Sequence, residues 1–170
     1  ILPNVQPQLD LLPSAIDLAG AEVELLTAVG GQSTLANRLK RESKAGYDFV
    51  IIDAPPSLGL LTINALAAAD EVLIPVSTSV FGMIGIVQLE NTIELVRGNL
   101  NRESLKIGGV LCTMHERTNV ANDVLAAVRD RFGDIVFDTV IPKNVKVEEA
   151  HSRQQSIFSY APTSAGATAY

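Results

Sequence analysis

The apolar positions of this chain fall into short unbroken runs and longer stretches with a single apolar face. Phe49-Val50-Ile51-Ile52 is the sharpest run, and its β-branched character predicts a strand buried on both faces, as in a parallel sheet. Further runs predict strands over 9–12, 71–76, 105–114 and 136–141, the first stopped by Pro13 and the last by Pro142. Between them the spacing predicts helices. One covers 17–26 with Asp17 as its cap, and a second runs to about Lys44 with Leu35 and Leu39 on one face. Others cover 58–69, 82–98 (Ile86, Leu89, Ile93 and Val96 on one face) and 120–132 (Val120, Val124 and Val128 in register). Residues 1–8 read as a loop or frayed end, and the tail as irregular apart from a helical turn near 147–150. Strand and helix alternate from residue 47 to 141, which predicts an α/β fold with a mostly parallel, doubly wound sheet.

Composition narrows this picture. The chain has 170 residues, enough for one domain with a sizeable core, and no interdomain linker or internal repeat is visible. Its apolar runs are too short to span a bilayer, and it opens with no charged-then-apolar leader, so a cytoplasmic protein is expected. The one cysteine, Cys112, lies in an apolar run and is expected to be a buried reduced thiol. His115 and His151 are too far apart in sequence to suggest a metal site. A net charge of −6 argues against a globally basic nucleic-acid binder but leaves room for a local basic patch.

Candidate chemistry centres on Asp53, which follows the Phe49–Ile52 run. Open α/β sheets bind ligands at the carboxyl ends of their strands, and a carboxylate there can hold a magnesium ion directly or through water. Pro55 and Pro56 stiffen the turn that follows, and Ser57 is expected to cap the next helix. The same residues also suit a plain strand end and turn. No GxxxxGK[ST] phosphate loop occurs; Gly30-Gly31-Gln32-Ser33-Thr34 lacks a lysine and reads as a break between helices.

Three segments together carry a family resemblance. DAPPSLGLLTINAL (53–66) is similar to the switch-II segment of the ParA/Soj deviant-Walker partitioning ATPases; LDLLPSAIDLAGAEVEL (9–25) and TVIPKNVKVEEA (139–150) resemble two other segments of that family in the same order. The resemblance implies a P-loop NTPase-like fold of which the chain represents the middle and carboxyl-terminal part of a single domain, without the first strand, P-loop and switch I. It implies ATP and magnesium as cofactors of the intact protein, with Asp53 as the Walker B acid holding magnesium through water, and Pro55 and Pro56 in switch II. Thr113, Met114, Pro142 and Asn144 would lie beside the nucleotide base, and Arg117, Lys143 and Lys146 would contact DNA. The implied partners are a second copy of the protein, non-specific DNA and a ParB-type protein, with a nucleoid-associated location and no membrane.

This chain departs from the family pattern at Ser77-Thr78-Ser79, where a carboxylate is common. Gly82 and Gly85 are expected to form a tight turn into the following helix, and Arg129 and Arg131 to face solvent. Without a phosphate cradle the polypeptide alone is expected neither to bind ATP tightly nor to hydrolyse it. A fold lacking its first strand is also expected to leave sheet edges that need covering. The alternatives are a non-enzymatic pseudo-ATPase module, a MinD-like ATPase and a bacterial tyrosine kinase; neither a terminal amphipathic membrane helix nor a tyrosine cluster is present to favour the last two.

Overall fold

The alternation of strand and helix is realised most fully from Glu71 onward. The computed structural model describes residues 1–42 and 46–170. The chain forms two compact units, Ile1–Ala69 and Asp70–Tyr170.

The second unit is built on a parallel sheet of three strands, β3 (Glu71–Ser77), β4 (Lys106–His115) and β5 (Val136–Pro142), in the order β3-β4-β5. Parallel neighbours require a crossover, and helices supply both. Helix α4 (Val80–Asn99) joins β3 to β4, and α5 (Asn119–Phe132) joins β4 to β5. The sheet contributes Ile74, Val76, Val110, Cys112 and Ile141 to the core. Helix α4 contributes Ile86, Ile93 and Val96, and α5 contributes Ala121, Val124 and Val128. Spacings of three, four and seven put such residues on one helical face. Val120 stands one step off that face and is 55% exposed, so the expected Val120 register was shifted by one residue.

Both crossover helices begin on hydroxyl caps. Ser79 Oγ accepts the Gly82 N–H and Thr118 Oγ1 accepts the Ala121 N–H, each at 3.2 Å. Helix α4 starts at Val80, so Gly82 and Gly85 lie inside the helix and not in a turn before it. At Gly82 a Cβ would sit 2.1 Å from the Ser77 carbonyl oxygen, so glycine is needed for the helix to start this close to β3. Gly85 faces open space and nothing in the structure explains it. The tail, expected to be irregular, carries three short helices: α6 (Val145–Ser152), α7 (Ile157–Tyr160) and α8 (Ala165–Ala169). Their sequence signals are single cap residues, Asn144, Ser156 and Ser164, with little apolar periodicity behind them.

The first unit opens with an antiparallel pair, β1 (Leu2–Gln6) and β2 (Leu9–Leu11), so residues 1–8 are not a simple loop. Asn4 and Gln8 adopt positive φ, a conformation Asn tolerates better than most residues, and no apolar alternation announces this strand. Helix α1 (Leu18–Thr27), a 3-10 turn at Gly31–Ser33, α2 (Thr34–Glu42) and α3 (Leu60–Ala68) follow. Asp17 precedes α1 but makes no side-chain cap. The expected end of the second helix at Lys44 lies outside the described residues.

Asn64 of α3, 4% exposed, ties this unit together. Its Nδ2 donates to the Gly31 and Leu60 carbonyls at 2.7 and 3.0 Å, and its Oδ1 accepts the Leu35 N–H at 3.1 Å. A buried amide with its hydrogen-bonding groups engaged in this way fixes the helices in one arrangement.

The largest departure from expectation is Phe49–Ile52. These residues form no strand; Phe49 is 87% and Ile51 92% exposed. A run of apolar residues specifies a wish for burial, but a strand exists only where a neighbour supplies backbone partners. Within the first unit the described strands pair with each other and not with this run.

Ile93→Ala, at a fully buried position, is expected to destabilise the second unit by about 2–5 kcal/mol. Val120→Ala is expected to stay within about 0.5 kcal/mol. Urea unfolding of the two variants checks the contrast; equal losses would contradict this assignment of the α5 face.

Candidate nucleotide-binding rim and Asp53 loop

The carboxyl ends of β3, β4 and β5 form the rim where a parallel sheet presents its ligand-facing backbone. Two bonds extend the ladder past the strand ends. Thr78 N–H donates to the Thr113 carbonyl at 3.1 Å, and Lys143 N–H donates to the His115 carbonyl at 3.0 Å. A third, between side chains, joins His115 Nδ1 and Thr78 Oγ1 at 3.2 Å. His115 therefore links all three strand ends, a role its sequence context did not reveal.

The rim collects most of the residues expected at a nucleotide base. Thr113 and Met114 lie in the last three residues of β4, while Pro142 ends β5 and Asn144 follows two residues later. The β4–β5 register is irregular between Cys112 and His115. Met114 sits in that irregularity with φ of 52°, and its side chain is left 55% exposed. A left-handed non-glycine residue costs conformational energy and is held there by the bonds at Thr113 and His115. Local kinks of this kind re-aim a side chain at the end of a strand. Asn144 caps α6, its Oδ1 accepting the Lys146 N–H at 2.8 Å, so one end of its amide serves the helix.

The residues expected to meet DNA stand beside this rim in different states. Arg117 is exposed in the turn after β4 and has no ion pair among the described residues. Lys143 Nζ donates to Glu116 Oε1 at 2.6 Å. Lys146 Nζ donates to Glu149 Oε2 at 2.8 Å, and the same oxygen accepts Tyr160 Oη at 2.8 Å. A phosphate would compete with Glu116 and Glu149 for these lysines. Arg129 and Arg131 are exposed on α5, as expected, and Arg131 pairs with Glu90 of α4 at 2.8 Å.

The hydrogen bond to Glu116, reinforced by its charge, holds Lys143 above the ordinary lysine range. Bonds from Lys146 and then Tyr160 hold Glu149 below the usual carboxylate range. Cys112 is buried, and desolvation pushes its thiol up, away from the nucleophilic thiolate. Among the described residues no three His, Cys, Asp or Glu side chains gather as a metal site. No described helix is long and apolar enough to cross a membrane.

Asp53, Pro55 and Pro56 belong to the first unit, in an exposed loop between the unpaired 49–52 run and α3. Asp53 does not end a strand here. It makes no hydrogen bond or ion pair among the described residues. The loop is held at its far end. Thr62 Oγ1 donates to the Ser57 carbonyl at 2.5 Å and lies 3.3 Å from the Pro55 carbonyl. Ser57 does not cap α3. That role falls to Glu22 of α1, whose Oε1 accepts the Leu60 N–H at 2.7 Å. A cap from 38 residues away leaves no local signature, and Ser57 is too far before the true start at Leu60 to replace it.

The Gly30–Thr34 segment commits two of its backbone donors inside the fold. Its Gly31 and Ser33 N–H groups donate to the Ala28 and Gly30 carbonyls. The N–H of Leu35 just beyond is taken by Asn64. Backbone donors already spent inside the fold cannot cradle an anion.

Comparison with known proteins places this geometry in context. The family model described as "AAA domain" matches residues 1–107. The sporulation initiation inhibitor protein Soj of Bacillus subtilis is 47% identical over 163 residues, covering 95% of this chain and 64% of that protein. The chromosome partitioning protein ParA of Myxococcus xanthus is 44% identical over 163 residues, covering 95% of this chain and 57% of that protein. Among solved structures, cobyrinic acid a,c-diamide synthase from Mycobacterium smegmatis with bound ADP and magnesium superposes with a TM-score of 0.71 at 37% identity, over 94% of this chain and 58% of that one. The chain thus spans a little under two thirds of the length of these relatives.

The Lys143–Glu116 contact sets a pH expectation. Lys143 has a raised value in the folded state, so the contact is fully present below the ordinary lysine value and is lost as pH rises through the raised one. Glu116→Gln is expected to lower the Lys143 titration midpoint toward the ordinary value, read by NMR of the side-chain amine. Because both side chains are about half exposed, overall stability should hardly change. An unmoved midpoint would contradict the assignment.

Proposed function

The chain belongs to the AAA domain family, with the Soj and ParA chromosome-partitioning proteins as its relatives, and from that premise we propose that it is part of an ATP-dependent DNA-partitioning protein and of a single ATPase domain. The observation that carries the reading is the rim of the β3-β4-β5 sheet, where Thr113, Met114, Pro142 and Asn144 come together at the carboxyl edge. The apolar surfaces of Met114 and Pro142 suit the face of a purine, and the Asn144 amide suits its polar edge.

Asp53 suits magnesium. Its carboxylate offers hard oxygens that no described residue competes for. Bound magnesium would neutralise charge on the β- and γ-phosphate oxygens. In this reading Asp53 orients the water shell of that ion, while Pro55 and Pro56 keep the backbone behind it stiff. The phosphates themselves are held by groups other than Gly30–Thr34, where the Gly31 and Ser33 N–H groups are bonded inside the fold. The protein acts as an ATP-bound homodimer on non-specific DNA, in the cytoplasm at the nucleoid, with a ParB-type protein as trigger of hydrolysis. Arg117, with Lys143 and Lys146 once they leave their carboxylates, contributes phosphate contacts.

In the natural full-length protein, Asp53→Asn is expected to lower magnesium-dependent ATP turnover by on the order of 100-fold. Turnover that survives the change would overturn the role of Asp53. Wild-type protein with no turnover would instead favour a non-enzymatic interaction module, the reading suggested by the lack of a GxxxxGK[ST] loop in these residues.

Arg117→Ala is expected to weaken DNA binding alike for all sequences and to reduce the salt slope of log Kd by about one unit. A salt titration by fluorescence anisotropy measures this, and an unchanged slope would remove Arg117 from the interface.

A further inference from the structure

Helix α3 starts without a cap of its own, because its N-cap residue is Gly59. The first free N–H, that of Leu60, is taken by Glu22 from α1. A carboxylate there satisfies an orphan donor and complements the positive end of the helix dipole. Gly59 makes the approach possible. A Cβ at this position would stand 2.2 Å from Glu22 Oε1. With φ −79° and ψ −170° the backbone at Gly59 is ordinary extended chain, so glycine is required there by the carboxylate and not by conformation.

The same turn is gripped a second time. Thr62, 6% exposed, bonds the Ser57 carbonyl from the first turn of α3. Between these contacts and Asp53 stand the two prolines, whose fixed φ leaves few backbone torsions to absorb motion. A loop anchored at 57–60 and stiffened at 55–56 holds Asp53 within a narrow range; freed at Leu60, it can swing from that end.

We propose that Glu22 is a positioning residue for Asp53: by capping α3 at Leu60 it anchors the loop that carries the acid, with Gly59 conserving the space it needs. The functional consequence rests on the nucleotide reading above; the anchor itself does not. The geometry makes Glu22 and Gly59 one device. Removing the carboxylate and crowding it out with a methyl group are two ways to break the same bond, and the crowded atom is the end of a flexible side chain, so Gly59→Ala displaces it without a backbone clash.

The test is a double-mutant cycle on the natural full-length protein, read by amide hydrogen exchange and by magnesium-dependent ATP turnover. E22A and G59A should each speed exchange at Leu60 and through 57–60 about tenfold. Each should lower kcat about tenfold with KM for ATP nearly unchanged. E22Q keeps an acceptor oxygen and should stay within about threefold of wild type in both readouts. The double variant should be no worse than either single one. Exchange at Leu60 unmoved by E22A, full additivity of G59A and E22A, or turnover indifferent to faster exchange would each overturn the proposal. Wild-type protein without turnover would sink the nucleotide reading alone, and exchange would still decide whether Glu22 anchors the loop.

Discussion

The second unit depends on one strand being paired along both edges. β4 takes β3 on one side and β5 on the other, so both of its edges find backbone partners in the sheet. This allows Val110 and Cys112 to be fully enclosed, since an unpaired buried peptide would cost more than their side chains return. The crossover helices follow from the parallel direction, and the rim follows from all three strands ending on the same side. Met114, Pro142 and Asn144 are neighbours because strand register puts them there. His115 makes that end rigid by bonding outward to both flanking strands.

The first unit relies on a different economy. Its helices are short, and several positions on α1 are exposed. Polar side chains reaching backbone groups supply the specificity that apolar packing does not. Asn64 binds the 3-10 turn, α2 and its own helix, Glu22 caps α3, and Thr62 closes the turn before it. Apart from the local bonds of Thr62 to Ser57 and of Asn64 to Leu60, these bonds join residues whose partners could not be read from neighbouring sequence. Such contacts define one arrangement among many of similar apolar burial.

The same contrast explains which expectations held. The strands at 71–77, 106–115 and 136–142 were legible because apolar runs there are flanked by helix caps and by prolines or charged ends. The faces of α4 and α5 were legible because helical spacing is a local property, with an error of one residue at Val120. Phe49–Ile52 was misread because its composition states a preference while pairing is a relation between segments. Ser57 was misread for the same reason: it is a good cap residue near a helix start, but the helix starts three residues later under a carboxylate from α1.

The amino-acid order alone determined the helix and strand periods, the parallel character of the sheet and the family to which three separated segments point. It also put Asp53 where an apolar run gives way to a turn, while Pro142 and Asn144 entered as site residues only through the family resemblance. Only the tertiary structure decided that Met114 is turned outward at the rim, that Lys143 and Lys146 already hold carboxylates, that the Gly31 and Ser33 N–H groups are bonded inside the fold, and that Glu22 caps α3 at Leu60. Period and propensity act over a few residues along the chain, whereas a hydrogen bond is decided by whichever partner folding brings within about 3 Å.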